Sequence, residues 1–211
     1  IRKRTDKPFG ANVTLQFETA EENAQVLLEE RVPVINVSLG FAPWIVEQTH
    51  AYGGKVLSTV TNLRHAHSAE RKGADGLIVT GHEAGGHGGD ATSLVVIPLI
   101  AGSVEIPVIA AGGFADGRGL AAAIVLGAEG ISMGTRLALA KESPMHGRVK
   151  DLALGLSEQD TIYTDRIDGQ GTRFLKTERV ETMDRAMSLL ESLRSIPKVK
   201  RALRLTWTEV L

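Results

Sequence analysis

The densest chemistry in the chain lies at residues 81–90, G-H-E-A-G-G-H-G-G-D. Here His82, His87, Glu83 and Asp90 share ten positions with five glycines. A histidine in such a place suits a base, a hydrogen-bond donor or a ligand, because its ordinary pKa of ~6.5 lies near working pH. The glycines let backbone lie close to a flat or anionic ligand. Zinc is the other chemistry to weigh. His82 and His87 with Glu83 or Asp90 offer donors, but the spacing is not H-E-x-x-H and the glycines disfavour a helix that would carry it. No metal site is expected.

Two further glycine stretches have a common form. Residues 106–120 read I-P-V-I-A-A-G-G-F-A-D-G-R-G-L, and residues 130–136 read G-I-S-M-G-T-R. Each runs from an apolar strand through glycine into a helix. Neighbouring strand ends of this kind gather free backbone N–H groups, which makes an anion site. Asp116 sits where it would cap its helix. Arg136 suits a phosphate partner or a structural ion pair equally.

The elements that must hold these loops follow a regular order. Candidate strands fall at residues 9–15, 34–39, 55–60, 76–80, 107–111 and 130–133, with helical patterns at 20–30, 43–52, 63–71, 94–101 and 117–126. Several strands are unbroken apolar runs, as parallel strands buried on both faces are. The helices end near Gly53, Gly73, Gly102 and Gly127, as helix stop signals do. The pattern is α/β with a parallel sheet. Similar helix-to-strand joints, R-K-G-A-D-G and L-G-A-E-G, repeat a βα unit. A (β/α)8 TIM barrel repeats in this way and carries its chemistry after its strands. A doubly wound open sheet is the rival.

Only six strands are legible, against the eight of a closed barrel, and the first residue is Ile1. The expectation is that two βα units precede Ile1, so that this chain holds strands three to eight. The glycine stretches at 106–120 and 130–136 then follow strands seven and eight, where barrels commonly bind phosphate. Beyond Glu142 no strand is expected. Residues 165–176 read as a loop, and residues 179–193 and 199–211 as helices of a C-terminal extension over 144–211, packed on a partial barrel over 1–143.

Composition narrows the class. The chain has 211 residues, a net charge of -1 and no cysteine. The charge gives no basic footprint for nucleic acid. The missing cysteines exclude disulfides and thiolate chemistry. No apolar run reaches the ~20 residues of a membrane helix, so a cytoplasmic protein without membrane or nucleic-acid partners is expected. Arg64, His65 and His67, and the basic cluster at 198–204, read as solvated helix faces.

Three segments carry a resemblance. G-A-D-G-L-I-V-T-G-H-E-A-G-G-H-G-G, I-P-V-I-A-A-G-G-F-A-D-G-R-G and L-G-A-E-G-I-S-M-G-T-R resemble the nitronate monooxygenase family, also called 2-nitropropane dioxygenases. The early P-F-G-A-N-V is similar to the family's third strand. The resemblance implies an FMN-dependent TIM-barrel enzyme that uses O2 to oxidise alkyl nitronates to carbonyl compounds and nitrite. It implies FMN-phosphate contacts at Gly112, Gly113, Gly134 and Thr135. Asn12 would face the flavin, with Gly85 and Gly86 close to its ring. His87 matches the catalytic histidine. Where some relatives place lysine or glutamine near the flavin pyrimidine, this chain offers Ser58 or Thr59. The partners implied are a small-molecule substrate and O2, with a homodimer as a candidate assembly. Flavin-dependent enoyl-ACP reductases and NADH:quinone reductases share the scaffold, and a non-catalytic barrel remnant is a further alternative.

Overall fold

The computed structural model describes residues 1–185. In chain order the elements are β1 (Gly10–Thr14), α1 (Ala20–Glu29), β2 (Val34–Ser38), α2 (Pro43–Ala51), β3 (Lys55–Val60), α3 (Leu63–Arg71) and β4 (Gly76–Thr80). There follow β5 (Gly86–His87), α4 (Ser93–Ala101), β6 (Val108–Ala111), α5 (Gly117–Val125), β7 (Gly130–Ser132) and α6 (Thr135–Ala138). The described part closes with α7 (Gly147–Leu154), β8 (Thr161–Thr164), β9 (Thr172–Leu175) and α8 (Glu178–Asp184).

The main sheet has six parallel strands in the order β1-β2-β3-β4-β6-β7. A doubly wound sheet reverses its strand order at a switch point. This order never reverses, so the sheet is an arc of a singly wound TIM barrel, with a helix after each strand.

Strand alternation gives the arc two different faces. Val13, Ile35, Val37, Val56, Val60, Leu77, Val79, Val108 and Ala110 are buried under the helices. They form two clusters, one against α1 and α2 and one against α3, α4 and α5, and Phe41 packs against both. Register places Asn12 beside Asn36, Thr14 beside Ser38, and Thr59 beside Ile78 on the opposite, lumen face. That face is polar at Asn12, Thr14, Asn36, Ser38 and Thr59 and apolar at Leu57, Ile78 and Ile109.

The joints follow the glycine logic. Gly73 and Gly127 end their helices at φ +90 and +92, where a side chain would be strained. In the joint before β4, Asp75 accepts from the Lys55 Nζ (2.8 Å), the Val56 N–H (2.8 Å) and the His50 ring (2.7 Å). Burial acts to raise its pKa, but these hydrogen bonds together hold the carboxyl below its usual value. They tie the start of β3 to the start of β4.

The expectation that strands stop beyond Glu142 is overturned. β8 and β9 form an antiparallel hairpin, and β9 also pairs with β5, making a second sheet of three strands. Residues 165–176, expected as a loop, include β9. β9 thereby supplies backbone partners to Gly86 and His87 of the glycine loop. The helix expected at 179–193 is described as Glu178–Asp184, capped by Thr177, whose side chain accepts from the Val180 N–H. The rest of that helix, the helix expected at 199–211 and the basic cluster at 198–204 lie outside the described residues. No described helix is long and apolar enough to cross a membrane.

Candidate active site

The first half of the 81–90 loop is welded to its surroundings. The Glu83 carboxylate accepts from the Ser93 N–H (2.8 Å) and the Ser93 hydroxyl (2.9 Å), so it caps α4 from outside the helix. The Ser93 hydroxyl also lies 3.1 Å from the Gly112 carbonyl. A methyl group at Gly81 would collide with Ser93 Oγ and stand 2.5 Å from the Ser93 backbone N. The His82 ring packs on Tyr163 with centroids 4.2 Å apart, and its Nδ1 lies 3.2 Å from the Gly89 carbonyl. Arg173 donates to the His82 carbonyl and stacks over Tyr163 at 5.5 Å. Burial first, then the charge of Asp90, push the Tyr163 phenol above its usual pKa.

His82 and Glu83 are therefore structural. Among the described residues no group of His, Asp and Glu is placed to hold a metal ion.

The second half opens outward. Gly85 and Gly86 have nothing within 4 Å of a Cβ position, and Gly86 takes φ +84. β5 then pairs Gly86 with Arg173 and His87 with Thr172. His87 Nε2 lies 3.0 Å from Asp168 Oδ2. Asp168 is itself held by the Thr172 hydroxyl at 3.2 Å and the Gln170 N–H at 3.2 Å. Sequence reasoning missed Asp168. The signal that points to it is the pair of short β-rich runs, T-I-Y-T and T-R-F-L, around a glycine-containing turn.

His87 faces a cleft of ≈ 710 Å³, whose walls include Thr14, Ser38, Thr59, His65 and Gln170. Asn12 connects to this wall through Thr14 (3.0 Å) and Ser38 (3.2 Å), and accepts from Asn36 at 2.6 Å. Asn36 in turn donates to Thr59 at 3.0 Å. A polar ladder thus crosses three strands. Both residues offered near the flavin border the cleft, but Ser58 shares the buried face of β3 with Val56 and Val60 and is 2% exposed, while the Thr59 side chain is on the lumen face with Asn36. His65 lines the cleft from α3, and burial, then Arg64, hold its pKa down. It remains exposed, as its sequence suggests. His67 instead approaches the Ser103 carbonyl.

The residues expected to hold a phosphate lie at the next two strand ends. Gly112 (φ +99) and Gly113 (φ +78) pass under the welded half of the glycine loop, within 3.3 Å of Ser93, Ala84, Gly81 and Glu83 from a Cβ position. Space around Gly134 is open, and Thr135 begins α6. Among the described residues the Gly113 and Gly134 N–H groups donate to no backbone carbonyl. Arg136 donates to the Ala115 carbonyl at 3.1 Å and so straps the two strand ends together. Asp116 caps α5 through the Arg118 and Gly119 N–H groups, as expected. These glycines do not line the His87 cleft. The structure brings His87 and the Asn12 ladder to one cleft and sets Gly112, Gly113, Gly134 and Thr135 at adjacent strand ends.

This chain is similar to known proteins along most of its length. It is 36% identical, over 100% of its residues and 61% of the relative, to a 5-hydroxy-7a-methyl-1-oxo-octahydro-indene-4-carboxyl-CoA dehydrogenase of Mycobacterium tuberculosis. It is 37% identical, over 80% of its residues and 50% of the relative, to a probable nitronate monooxygenase of Staphylococcus haemolyticus. The solved structure of FabK from Thermotoga maritima superposes with a TM-score of 0.80 at 38% identity, over 94% of this chain and 60% of that one. The chain thus spans about 61% or less of the length of these relatives. The profile of the nitronate monooxygenase family matches residues 15–205, and the chain belongs to that family.

Proposed function

We propose that this chain forms the catalytic side of an FMN-dependent oxidoreductase that oxidises alkyl nitronates with O2, with His87 as the residue that handles the proton. The observation that carries the reading is the position of His87, on the rim of a polar cleft at the carboxyl ends of the strands. Family membership supports the redox class.

The residues present fit a flavin mononucleotide. Gly112 and Gly113 take φ values that side chains rarely adopt, and the space above Gly134 would admit a phosphate. Gly112, Gly113, Gly134 and Thr135 would hold that phosphate through backbone N–H groups. Asn12, fixed by Thr14, Ser38 and Asn36, would meet the ring edge, with Gly85 and Gly86 lying against it. FMN, when bound, supplies the electron-accepting chemistry. The chain's own part is to bind, orient and move a proton. His87 takes the α-proton of a neutral nitroalkane, or orients the nitro group of a substrate that arrives as the anion.

A second reading is favoured by two likenesses. The similarity to a carboxyl-CoA dehydrogenase over 61% of that protein, and the TM-score of 0.80 to FabK, suit an acyl-thioester dehydrogenase or reductase that exchanges electrons with NAD(P)H or a quinone. The test uses the full-length protein. Its visible spectrum is recorded, and O2 uptake is followed with propyl-2-nitronate, without and then with NAD(P)H. A flavin spectrum with nitronate-dependent uptake and no nicotinamide requirement supports the first reading. Turnover only with NAD(P)H and a quinone or an enoyl thioester moves the protein to the second. An absence of bound flavin overturns both.

A further inference from the structure

The catalytic histidine has a partner that lies far away in sequence and sets which of its nitrogens can act. An ionised carboxylate only accepts hydrogen bonds. The contact between His87 Nε2 and Asp168 Oδ2 at 3.0 Å therefore puts a proton on Nε2. In the neutral imidazole Nδ1 is then the acceptor. Among the described residues Nδ1 has no hydrogen-bond partner, and the ring borders the ≈ 710 Å³ cleft.

We propose that Asp168 is a positioning residue that holds the Nε2–H of His87, so that Nδ1 is the base presented to substrate. This rests on the proposed role of His87. The arrangement is built from two sides. β5 and β9 fix the His87 backbone against Thr172, while the Thr172 hydroxyl and the Gln170 N–H fix the carboxylate. In the proton step the α C–H bond breaks, its electron pair stays on the substrate as the nitronate, and the proton goes to Nδ1. The imidazolium so formed lies against the Asp168 carboxylate. A carboxylate in that place keeps the ring in one orientation.

The test reads the tautomer directly. The full-length flavoprotein is labelled with 15N-histidine, and the His87 signals are assigned by their loss in His87→Gln. The expected spectrum shows Nε2 protonated and Nδ1 bare. Asp168→Ala should mix the tautomers and lower kcat about a hundredfold with neutral nitroalkane, within the range a positioned proton acceptor contributes, while KM changes little. Asp168→Glu should recover part of both. Thr172→Val removes the hydroxyl that orients Asp168 but keeps the carboxylate, and should leave Nε2 protonated. A wild-type spectrum with Nδ1 protonated overturns the proposal, and so does an Asp168→Ala protein with an unchanged tautomer. The spectrum needs no turnover. A correct tautomer with a fully active His87→Gln protein would refute the role of His87, and not the Asp168 contact.

Discussion

The two halves of the 81–90 loop have nearly the same composition and opposite fates. Each holds one histidine and flanking glycine. In the first half His82 is stacked on Tyr163, Glu83 caps α4, and Gly81 has no room for a methyl group. In the second half Gly85 and Gly86 face open space, and His87 borders a cleft. The glycines differ for the same reason. Gly81 is required because Ser93 approaches it, and Gly88 and Gly89 because the Gly81 and Thr61 carbonyls do, whereas Gly85 and Gly86 leave room for something else. A rigid half anchors the loop to β4 and β6, and that anchoring lets the other half stay open without losing its place.

The sharpest way to break the contrast is to change one residue in each half. His87→Gln should reduce turnover of a neutral nitroalkane by about 10²- to 10⁴-fold, with unfolding free energy changed by no more than about 0.5 kcal/mol. Comparing steady-state rates with urea unfolding checks both numbers, and a destabilised His87→Gln protein would erase the distinction between the halves. The converse change is Gly81→Ala. The added methyl meets Ser93 backbone, which cannot move aside as a side-chain tip can, so stability should fall by about 3 kcal/mol. The same urea experiment reads it.

The opposite end of β4 sharpens the comparison, because there charge rather than absent bulk makes the joint. Asp75→Ala leaves the part-buried Val56 N–H without its acceptor and should cost about 2 kcal/mol near neutral pH. The folded pKa of Asp75 is lowered, so its contribution is full above the unfolded value of ~3.9 and is lost as pH falls through the folded value. The stability gap between wild type and Asp75→Ala should therefore close in acid, as thermal melts across the pH range would show. The smallest effect is expected at Tyr163→Phe. It removes one hydrogen bond to the Gly88 carbonyl, 3.2 Å long, and should cost about 1 kcal/mol with little effect on turnover.

Much of the barrel was legible because its strands are short runs rich in apolar residues, alternately buried in β2 and β3 and buried almost throughout in β4. V-I-N-V-S and L-I-V-T need little context, and the glycine joints mark where each helix stops. The strand order that excludes a doubly wound sheet is not written in any single run, because both architectures use the same βα units. The β8–β9 hairpin escaped for another reason. Its strands are four residues each and sit among polar neighbours, too short for their own pattern to stand out, and the contact of β9 with β5 joins segments far apart in sequence. Asp168 was hidden with them, 81 positions from His87. Residue type alone did not separate His82 from His87. Both are histidines among glycines, and only Tyr163, brought back by the hairpin, marks one of them as structural. Ser58 and Thr59 divide in the same way once register fixes which of them looks into the lumen.

The central claim is that His87 moves the substrate proton at a flavin-bearing strand end. It is tested most directly by O2 uptake of the flavin-loaded full-length protein, wild type and His87→Gln, with a neutral nitroalkane and with its preformed nitronate. The account predicts that His87→Gln fails with the nitroalkane, by about 10²-fold or more, and keeps most of its rate with the nitronate, which has already lost its proton. Equal rates of the two proteins on the neutral nitroalkane would contradict it.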